Sequence, residues 1–213
     1  MSPQQTSGAD STITRRRLLG GIAGVTLGTA GCIGGSGSSG TPSLATPYVG
    51  AENASVTVAV YEDFACPNCR QYALNSGRQL INEYAEPGII RYEHHDFPLP
   101  VDPQASWEAA SAAREVQRRK GREAFYAYTV GLYENQSQLG ETVYRELANV
   151  VEADGEAVAA AATNRKFQGA VEADKQRGED LGVERTPTVF VNGTSVTPRY
   201  QDVSAAIEQA RDA

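Results

Sequence analysis

Apolar residues alternate with small or polar ones between residues 55 and 62, where three valines share one face. This two-residue period predicts a strand, and the small residues on its other face indicate burial on both sides. A helical pattern follows from Pro67, a residue type favoured at the first helical position, to about Pro87-Gly88. A second strand is predicted at residues 89–95. Strand, helix and strand within about 40 residues predict a right-handed βαβ unit with two parallel strands.

The pattern becomes helical from residue 104 to about residue 181, where apolar residues recur at the spacing of several amphipathic helices. Short apolar runs then flank Asn192-Gly193, which is a strong signal for a tight β-hairpin. Asp202 is the predicted N-cap of a final helix over residues 203–210. The order β-α-β, helical block, β-β-α predicts an α/β fold with a small mixed sheet and a helical insertion.

The N-terminal segment has the pattern of an export signal. Three arginines at residues 15–17 precede a glycine-interrupted apolar run that is shorter than the about 20 residues of a membrane span. The arginines resemble a twin-arginine signal, and the residues before Cys32 resemble a lipobox, in which that cysteine receives lipid. We predict a twin-arginine/lipoprotein-type signal at residues 1–31, a flexible Gly/Ser/Thr linker at residues 32–47 and one domain at residues 48–213.

The net charge bears on the class of partner. The formal charge of the whole chain is −7, and residues 1–31 contribute +2, so the remainder carries −9. An acidic surface with only three lysines argues against binding to nucleic acid.

The chain has three cysteines, and the predicted lipidation accounts for Cys32. The other two are Cys66 and Cys69. Two cysteines three positions apart across the start of a helix lie close enough to form a disulfide. Unpaired backbone N–H groups and the helix dipole stabilise a thiolate at the first position. We therefore predict that Cys66 is the exposed, attacking thiol and Cys69 the buried, resolving one. No histidine stands between them, so we expect a less oxidising pair than one that contains histidine.

A structural disulfide and a metal site are the alternatives for this pair. A disulfide that closes so short a loop gains little from loop entropy. Structural zinc takes four ligands, and the only histidines, His94 and His95, are adjacent and would point to opposite faces of a strand. We expect both to be surface or strand-end residues. We predict no metal and no cofactor, and redox chemistry is the favoured reading of the pair.

Three further patterns stand out along the chain: YEDFACPNC at residues 61–69, DFPL at residues 96–99 and GVERTPTVFVNG at residues 182–193. Together they resemble segments of DsbA-like thiol-disulfide oxidoreductases of the thioredoxin fold. The resemblance extends over about residues 48–212. It implies a thioredoxin-like fold with a helical insertion, at about residues 104–178, between the βαβ and ββα halves.

The resemblance also implies roles for individual residues. Pro187 would follow a cis peptide bond and face the cysteines, and the backbone of Thr186 would pair with an extended substrate segment. Pro67 and Asn68, between the cysteines, are further candidates for substrate contact.

One position departs from the pattern of many thioredoxin-like proteins. They carry a buried carboxylate six residues before the first cysteine, and Val60 occupies that position here. Glu62 and Asp63 are nearby candidates for a proton shuttle. Solvated acids at the end of a strand are an equally good reading of these two residues.

These features predict an extracytoplasmic thiol-disulfide oxidoreductase, anchored to the outer face of the cell membrane by lipid on Cys32. Its expected partners are cysteine-containing exported proteins and a membrane or small redox partner that resets the dithiol. Oxidase or isomerase work is favoured over reductase work, because disulfides persist outside the cytoplasm. The alternative is a non-catalytic surface lipoprotein that binds peptides or partners on a thioredoxin scaffold.

Overall fold

The structure is a computed structural model that describes residues 44–213. Its sheet has five strands in the order β1-β3-β2-β4-β5. The strands are β1 Tyr48–Gly50, β2 Val56–Glu62, β3 Ile90–Asp96, β4 Thr188–Val191 and β5 Thr194–Val196. β2 and β3 are parallel, as the βαβ pattern predicts, and the other three pairings are antiparallel.

Seven helical segments are present in the described part of the chain. The first, α1, runs over residues 67–85 and contains two π-helical stretches, Ala73–Gly77 and Ile81–Ala85. The others are α2 Pro103–Lys120, α3 Arg122–Glu134, α4 Glu141–Val150, α5 Gly155–Thr163, α6 Gln168–Asp180 and α7 Tyr200–Arg211. A single 3₁₀ turn, Gln136–Gln138, lies between α3 and α4.

Helices α2 to α6 form the insertion between the two halves of the fold. The insertion was expected at about residues 104–178, and its helices extend from Pro103 to Asp180. Asp102 begins it, because its carboxylate accepts hydrogen bonds from the N–H groups of Gln104 and Ala105. The predicted α/β fold, a thioredoxin-like core with a helical insertion, is confirmed.

The two faces of the sheet carry different cores. On one face, the valines of β2 pack with β3 and β4 residues against α1 and α7. The same face continues into the insertion, whose core includes both cysteines and Phe64. On the other face, Tyr61, Phe97, Val183 and Phe190 form a smaller aromatic cluster. The end of β2 and β3 therefore separates two buried environments.

Several local expectations need correction. β1 was not predicted, because three residues are too few to show a period. It ends at Gly50 with φ 97°, where a Cβ atom would lie 2.1 Å from the Ile90 carbonyl oxygen. Helix α5 was not predicted separately from its neighbours. Asp202 is not the N-cap of α7: the helix begins at Tyr200, and Asp202 lies in its first turn, paired with Arg199.

The predicted hairpin is present. Asn192 and Gly193 have φ values of 45° and 79°, and they join the antiparallel strands β4 and β5. The Asn192 side chain also accepts a hydrogen bond from the Thr57 N–H at 2.8 Å, which ties the turn to β2.

The predicted signal, Cys32 and most of the predicted linker lie outside the described residues. The last four linker residues, 44–47, are described, and two of them contact the domain. The Ala45 carbonyl accepts a hydrogen bond from Gln117, and the Pro47 carbonyl accepts hydrogen bonds from the His94 N–H and the Tyr126 hydroxyl. Across residues 44–213, we find no helix with the length and apolar character needed to span a membrane.

Candidate active site

The cysteine pair lies at the junction of β2 and α1. Cys66 is the N-cap of the helix, with extended φ and ψ of −80° and 120°, and Pro67 follows at the first helical position. Cys69 lies one turn later, and both cysteines are free thiols. The exposure predicted for Cys66 is wrong: only 5% of this residue is accessible, and Cys69 is fully buried. The loop of Thr186 packs against Cys66, which is also part of the core shared with the insertion. Both contacts shield its side chain from solvent.

The two thiols differ strongly in acidity. The pKa of Cys66 is lowered to about 5, chiefly by a hydrogen bond from the Cys69 thiol. Burial opposes this shift, while contact with Thr186 and the backbone N–H groups of Asn68 and Cys69 add to it. These N–H groups belong to the first turn of α1, where they have no partner within the helix. Cys66 is therefore stabilised as a thiolate by its place in the fold.

Cys69 has the opposite tendency. Burial raises its pKa well above the usual thiol range, and its hydrogen bond to Cys66 and the charge of Glu62 raise it further. Its sulfur accepts a hydrogen bond from the Asp63 N–H at 3.4 Å. At neutral pH the pair is thus a thiolate at Cys66 and a thiol at Cys69.

The loop before β4 lies across from the pair. The Thr186-Pro187 peptide bond is cis, as the resemblance implied. The Thr186 carbonyl oxygen is 3.6 Å from the Cys66 sulfur, so the loop lies directly against the first cysteine. The prediction that this loop opposes the cysteines is confirmed.

A polar groove of about 960 Å³ runs beside this loop. Amide and hydroxyl side chains make up much of its lining, together with the loop itself; the lining includes Asn68, Gln71, Asn75, Thr186, Pro187 and Thr197. Of the two residues between the cysteines, Asn68 lines the groove, and Pro67 is exposed outside it.

The acids that precede the cysteines are not solvated; both are buried, at 4% exposure for Glu62 and 2% for Asp63. The Asp63 carboxylate accepts hydrogen bonds from the Ala65 N–H, the Leu99 N–H and the Ser106 hydroxyl, at 2.9, 2.9 and 3.0 Å. Burial raises its pKa, and these bonds oppose the shift. Asp63 is thus engaged in holding three segments of the chain together.

Glu62 is less completely bonded. Its Oε2 lies 3.3 Å from His94 Nδ1, and within residues 44–213 its buried Oε1 has no hydrogen-bond partner. Burial raises the pKa of Glu62, and the neighbouring imidazole opposes this shift. Val60 lies on the same face of β2 and is fully buried, so the position that often carries an acid is apolar here.

The prediction of surface or strand-end positions for the two histidines is wrong. His94 is 2% exposed and His95 is 7% exposed. They do point to opposite faces of β3, as strand alternation requires. The His94 ring stacks on Phe64 at 5.3 Å and meets the edge of Phe125 at 5.4 Å, whereas His95 stacks on Tyr61 at 4.7 Å.

His94 is the residue that the sequence argument missed. It lies opposite Val60 in the parallel register of β2 and β3, and its Nε2 lies 3.1 Å from the Asp96 carboxylate. Burial lowers its pKa, but Asp96 and Glu62 outweigh burial and raise the pKa to about 9. The alternation of β3 places residues 90, 92, 94 and 96 on one face. Residues 60 and 62 likewise share one face of β2. With β2 and β3 parallel and in register, these two patterns predict that His94 and Glu62 lie on the same face of the sheet.

The fold and this site can now be compared with known proteins. The family model described as Thioredoxin matches residues 43–209. The chain belongs to this thioredoxin family.

Relatives and solved structures place the protein more closely within the family. A probable disulfide bond formation protein D of Bacillus cereus is 25% identical over 168 residues, 76% of each chain. BdbD from Bacillus subtilis, in its oxidised form, superposes with a TM-score of 0.73 at 20% identity, covering 79% of this chain and 94% of BdbD. Chlamydia trachomatis DsbA gives a TM-score of 0.70 at 17% identity, covering 81% and 94%. The resemblance to DsbA-like thiol-disulfide oxidoreductases that the sequence predicted is therefore confirmed.

One further relative matches only in part. The Na⁺/H⁺ antiporter NhaA 3 of Salinispora tropica is 31% identical over 164 residues, which are 76% of this chain but 24% of the antiporter. Most of the antiporter therefore has no counterpart here, and its transport activity does not carry over to this thioredoxin-family member.

Proposed function

We propose that this protein exchanges disulfides with exported proteins through Cys66 and Cys69, as an oxidase or isomerase rather than a reductase. The observation that carries the proposal is the division of the pair into a stabilised thiolate and a buried thiol. A structural disulfide has no need of this asymmetry. A thiolate is the nucleophile of thiol-disulfide exchange, and the sulfur that forms the more stable thiolate is also the better leaving group.

In the oxidising direction, a substrate thiolate attacks the Cys66 sulfur of the Cys66–Cys69 disulfide. The S–S bond breaks, its electron pair goes to Cys69, and Cys69 takes up a proton. A second substrate thiolate then attacks the substrate sulfur of the mixed disulfide and displaces the Cys66 thiolate. The substrate leaves with a disulfide and the enzyme with a dithiol, so two electrons have moved to the protein.

The acidity of Cys66 supports this direction. A stabilised thiolate stabilises the reduced enzyme and therefore makes its disulfide more oxidising. The pKa of about 5 at Cys66 lies between the values of about 7 for thioredoxin and about 3.5 for DsbA. This intermediate position supports the expectation that the pair is less oxidising than one that contains histidine.

The polar groove supports a role in binding extended substrate segments. In the proposal, the backbone of Thr186 pairs with the substrate next to its cysteine, while Asn68 and Pro187 contact its flanking residues. The amide and hydroxyl lining suits polar segments of unfolded chains better than apolar ones. A membrane or small redox partner then oxidises the dithiol again by the same exchange chemistry.

We further propose that the protein works outside the cytoplasm, held to the outer face of the membrane by lipid on Cys32. The support is the sequence pattern of residues 1–32, together with the linker that follows. Stable anchoring requires two acyl chains, which lipoprotein modification supplies. Radiolabelled palmitate should enter the full-length protein, and Cys32→Ser should abolish the label while leaving the dithiol reactivity unchanged.

Thiol trapping tests the exchange itself. Cys66→Ser should form no mixed disulfide with a test protein that contains disulfides, and Cys69→Ser should accumulate one because no resolving thiol remains. The non-catalytic alternative predicts that neither substitution changes disulfide transfer, and that result would overturn the proposal. Measuring the reduction potential decides the direction: a value near about −120 mV supports an oxidase, and one near about −270 mV a reductase.

A further inference from the structure

A chain of buried charged groups begins beneath the cysteines and continues along the end of β3. His94 lies between two carboxylates, with Nδ1 3.3 Å from Glu62 and Nε2 3.1 Å from Asp96. The other oxygen of Asp96 accepts a hydrogen bond from Arg114 Nε at 2.7 Å, and Arg114 also contacts Asp174. Asp96 and Arg114 therefore fix one side of the imidazole. The other side meets Glu62.

The protonation of His94 follows from this arrangement. Both ring nitrogens face carboxylate oxygens, and a neutral imidazole donates from only one nitrogen. The imidazolium satisfies both contacts, and it is buried against the rings of Phe64 and Phe125. A buried cation is thus paired with Glu62 over the range of neutral pH.

Among these buried charged groups, Glu62 is the one that adjoins the cysteine pair. The next residue, Asp63, donates its N–H to the Cys69 sulfur. Phe64, which stacks on His94, packs in the same core cluster as both cysteines. The charge of Glu62 acts on both Cys66 and Cys69. Its Oε1 is buried and has no hydrogen-bond partner anywhere in residues 44–213, so one carboxylate oxygen is available for a proton.

We propose that His94 is a positioning residue for disulfide exchange, which orients Glu62 beneath the cysteine pair and favours its carboxylate form, so that Glu62 exchanges a proton with the Cys69 thiol. The inference rests on the proposed function of the pair. When Cys69 attacks the Cys66–substrate disulfide, Glu62 accepts the Cys69 proton, the Cys69–Cys66 bond forms, and the substrate sulfur leaves with the electron pair. In the oxidising direction, Glu62 returns the proton to the Cys69 thiolate as that thiolate leaves Cys66.

Other titratable groups also lie near Glu62, and they differ in how they affect its carboxylate. Asp63 is committed to three hydrogen bonds, and Asp96 and Arg114 act on Glu62 only through His94. The remaining groups are the phenols of Tyr72, Tyr92, Tyr126 and Tyr133, whose pKa values are all raised by burial, so that they stay neutral. Among them, the Tyr133 hydroxyl also lowers the pKa of Glu62, after the larger effect of His94. His94 is thus the cation in direct contact with this carboxylate. Without it, the burial that raises the pKa of Glu62 is no longer opposed by the imidazolium, so this pKa rises further and the carboxylate form is less favoured.

The chain offers a matched control in His95. It is the next residue, is also buried and also contacts two carboxylates, Glu93 at 3.3 Å and Asp174 at 3.6 Å. It stacks on Tyr61 on the opposite face of β3 and has no contact with Glu62. A general effect of losing a buried histidine should therefore be equal in H94Q and H95Q. An effect on Cys69 should appear only in H94Q.

The experiment follows the reaction of the reduced protein with an aromatic disulfide that releases a coloured thiolate, such as 5,5′-dithiobis(2-nitrobenzoate). The first thiolate reports the attack of Cys66, and the second reports the resolution by Cys69. We expect H94Q to slow the second release at least tenfold at pH 7 and to shift its pH midpoint upward by at least one unit. The first release should change less than twofold. H95Q should match the wild type in both phases.

A double-mutant cycle tests the route through Glu62. E62Q should also slow the second release, and E62Q/H94Q should be no slower than E62Q within twofold, since His94 acts only through that carboxylate. Equal second-phase rates in H94Q and H95Q, or additive effects in the double variant, would overturn the inference. A wild-type protein that releases both thiolates yet transfers no disulfide to a reduced protein would instead contradict the proposed function.

If H94Q does not fold, a titration of the wild-type protein still tests the role of His94. Nuclear magnetic resonance titration of the His94 ring should show an imidazolium throughout neutral pH in both the dithiol and the disulfide form. The Glu62 carboxyl should titrate at different pH values in the two forms. A neutral His94 ring at pH 7, or a Glu62 titration that is independent of the redox state, would contradict the inference.

Discussion

The two faces of β3 end in buried histidines, and the faces differ in how completely the carboxylates beside those histidines are paired. On the face of His94, the charges run from Asp96 to Glu62 and stop at a carboxylate oxygen beneath the cysteines that has no partner in residues 44–213. On the face of His95, Glu93 is paired with Arg91, and Asp174 is paired with Arg114 and Arg177. In the proposal above, buried charge on the first face serves disulfide exchange, whereas on the second face it is paired within the fold.

Arg114→Met should give the largest effect, because Arg114 is the bridge between the two faces. Its loss leaves Asp96 short of its guanidinium partner and weakens the pairing of Asp174, both of which are buried. Removing one partner of a buried ion pair costs about 3–5 kcal/mol. Urea denaturation should show a fall of this size in the free energy of unfolding. A fall below about 1 kcal/mol would mean that water or another group compensates, and that the two faces are not linked through Arg114.

The free energy of unfolding should depend on pH through the protonation of His94, and this dependence should report on the His94 face. The pKa of His94 is about 9 in the folded protein, since Asp96 and Glu62 outweigh burial, and about 6.5 in the unfolded chain. A raised folded pKa stabilises the protein fully below about pH 6.5, and this stability is lost as pH rises to about 9. The expected loss is about 3 kcal/mol.

Denaturation at a series of pH values measures this loss, with H94Q as the control. The substitution should flatten the curve between pH 6.5 and 9. An unchanged slope in H94Q would assign the pH dependence to other groups, with His95 as the next to test, because its pKa is raised as well.

Gly178→Ala should disturb only the opposite face. A Cβ atom there would lie 2.7 Å from the Phe97 ring and 2.9 Å from the Tyr61 ring, both part of the aromatic cluster around His95. Overpacking of this kind costs about 1–3 kcal/mol, which thermal or chemical denaturation will detect. The pKa of Cys66, followed by thiolate absorbance, should not move. A shift in that pKa would show that the two faces are coupled through packing.

Ser106→Ala should give the smallest effect and lies on the cysteine face. It removes the hydroxyl that donates to Asp63 at 3.0 Å, while the two backbone hydrogen bonds to that carboxylate persist. The expected loss of stability is about 1 kcal/mol, with the rate of Cys69 resolution unchanged within twofold. A large fall in that rate would indicate that Asp63, rather than Glu62, exchanges the proton.

The fold could be predicted almost entirely from the sequence. The period of β2, the proline at the start of α1 and the Asn192-Gly193 turn are local signals, and local signals are present in the residues themselves. β1 has three residues and no period, so only its pairing with β3 defines it. The start of α7 was misplaced because Asp202, a good N-cap residue, lies three positions inside a helix that begins without a side-chain cap.

The site was predictable only in part. The cysteine pair and the loop of Pro187 could be recognised from short motifs, and Glu62 could be named as a candidate proton shuttle. Its burial and its contact with His94 could not be predicted. The burial of Glu62 depends on the insertion packing over the end of the sheet, which places Phe125 beside His94. The partners Asp96 and Arg114 come from different elements. Such contacts are tertiary, and no spacing in the sequence shows that two adjacent histidines are both buried.

The edges of the sheet bear on how this protein meets unfolded chains. Both edge strands, β1 and β5, have only three residues. A long edge with unpaired N–H and C=O groups is a template on which another extended chain adds as a strand. Three residues offer too few such groups to retain an extended chain, so strand addition at either edge is disfavoured. If the protein acts on unfolded chains as proposed, this feature lets it release them without seeding an aggregate.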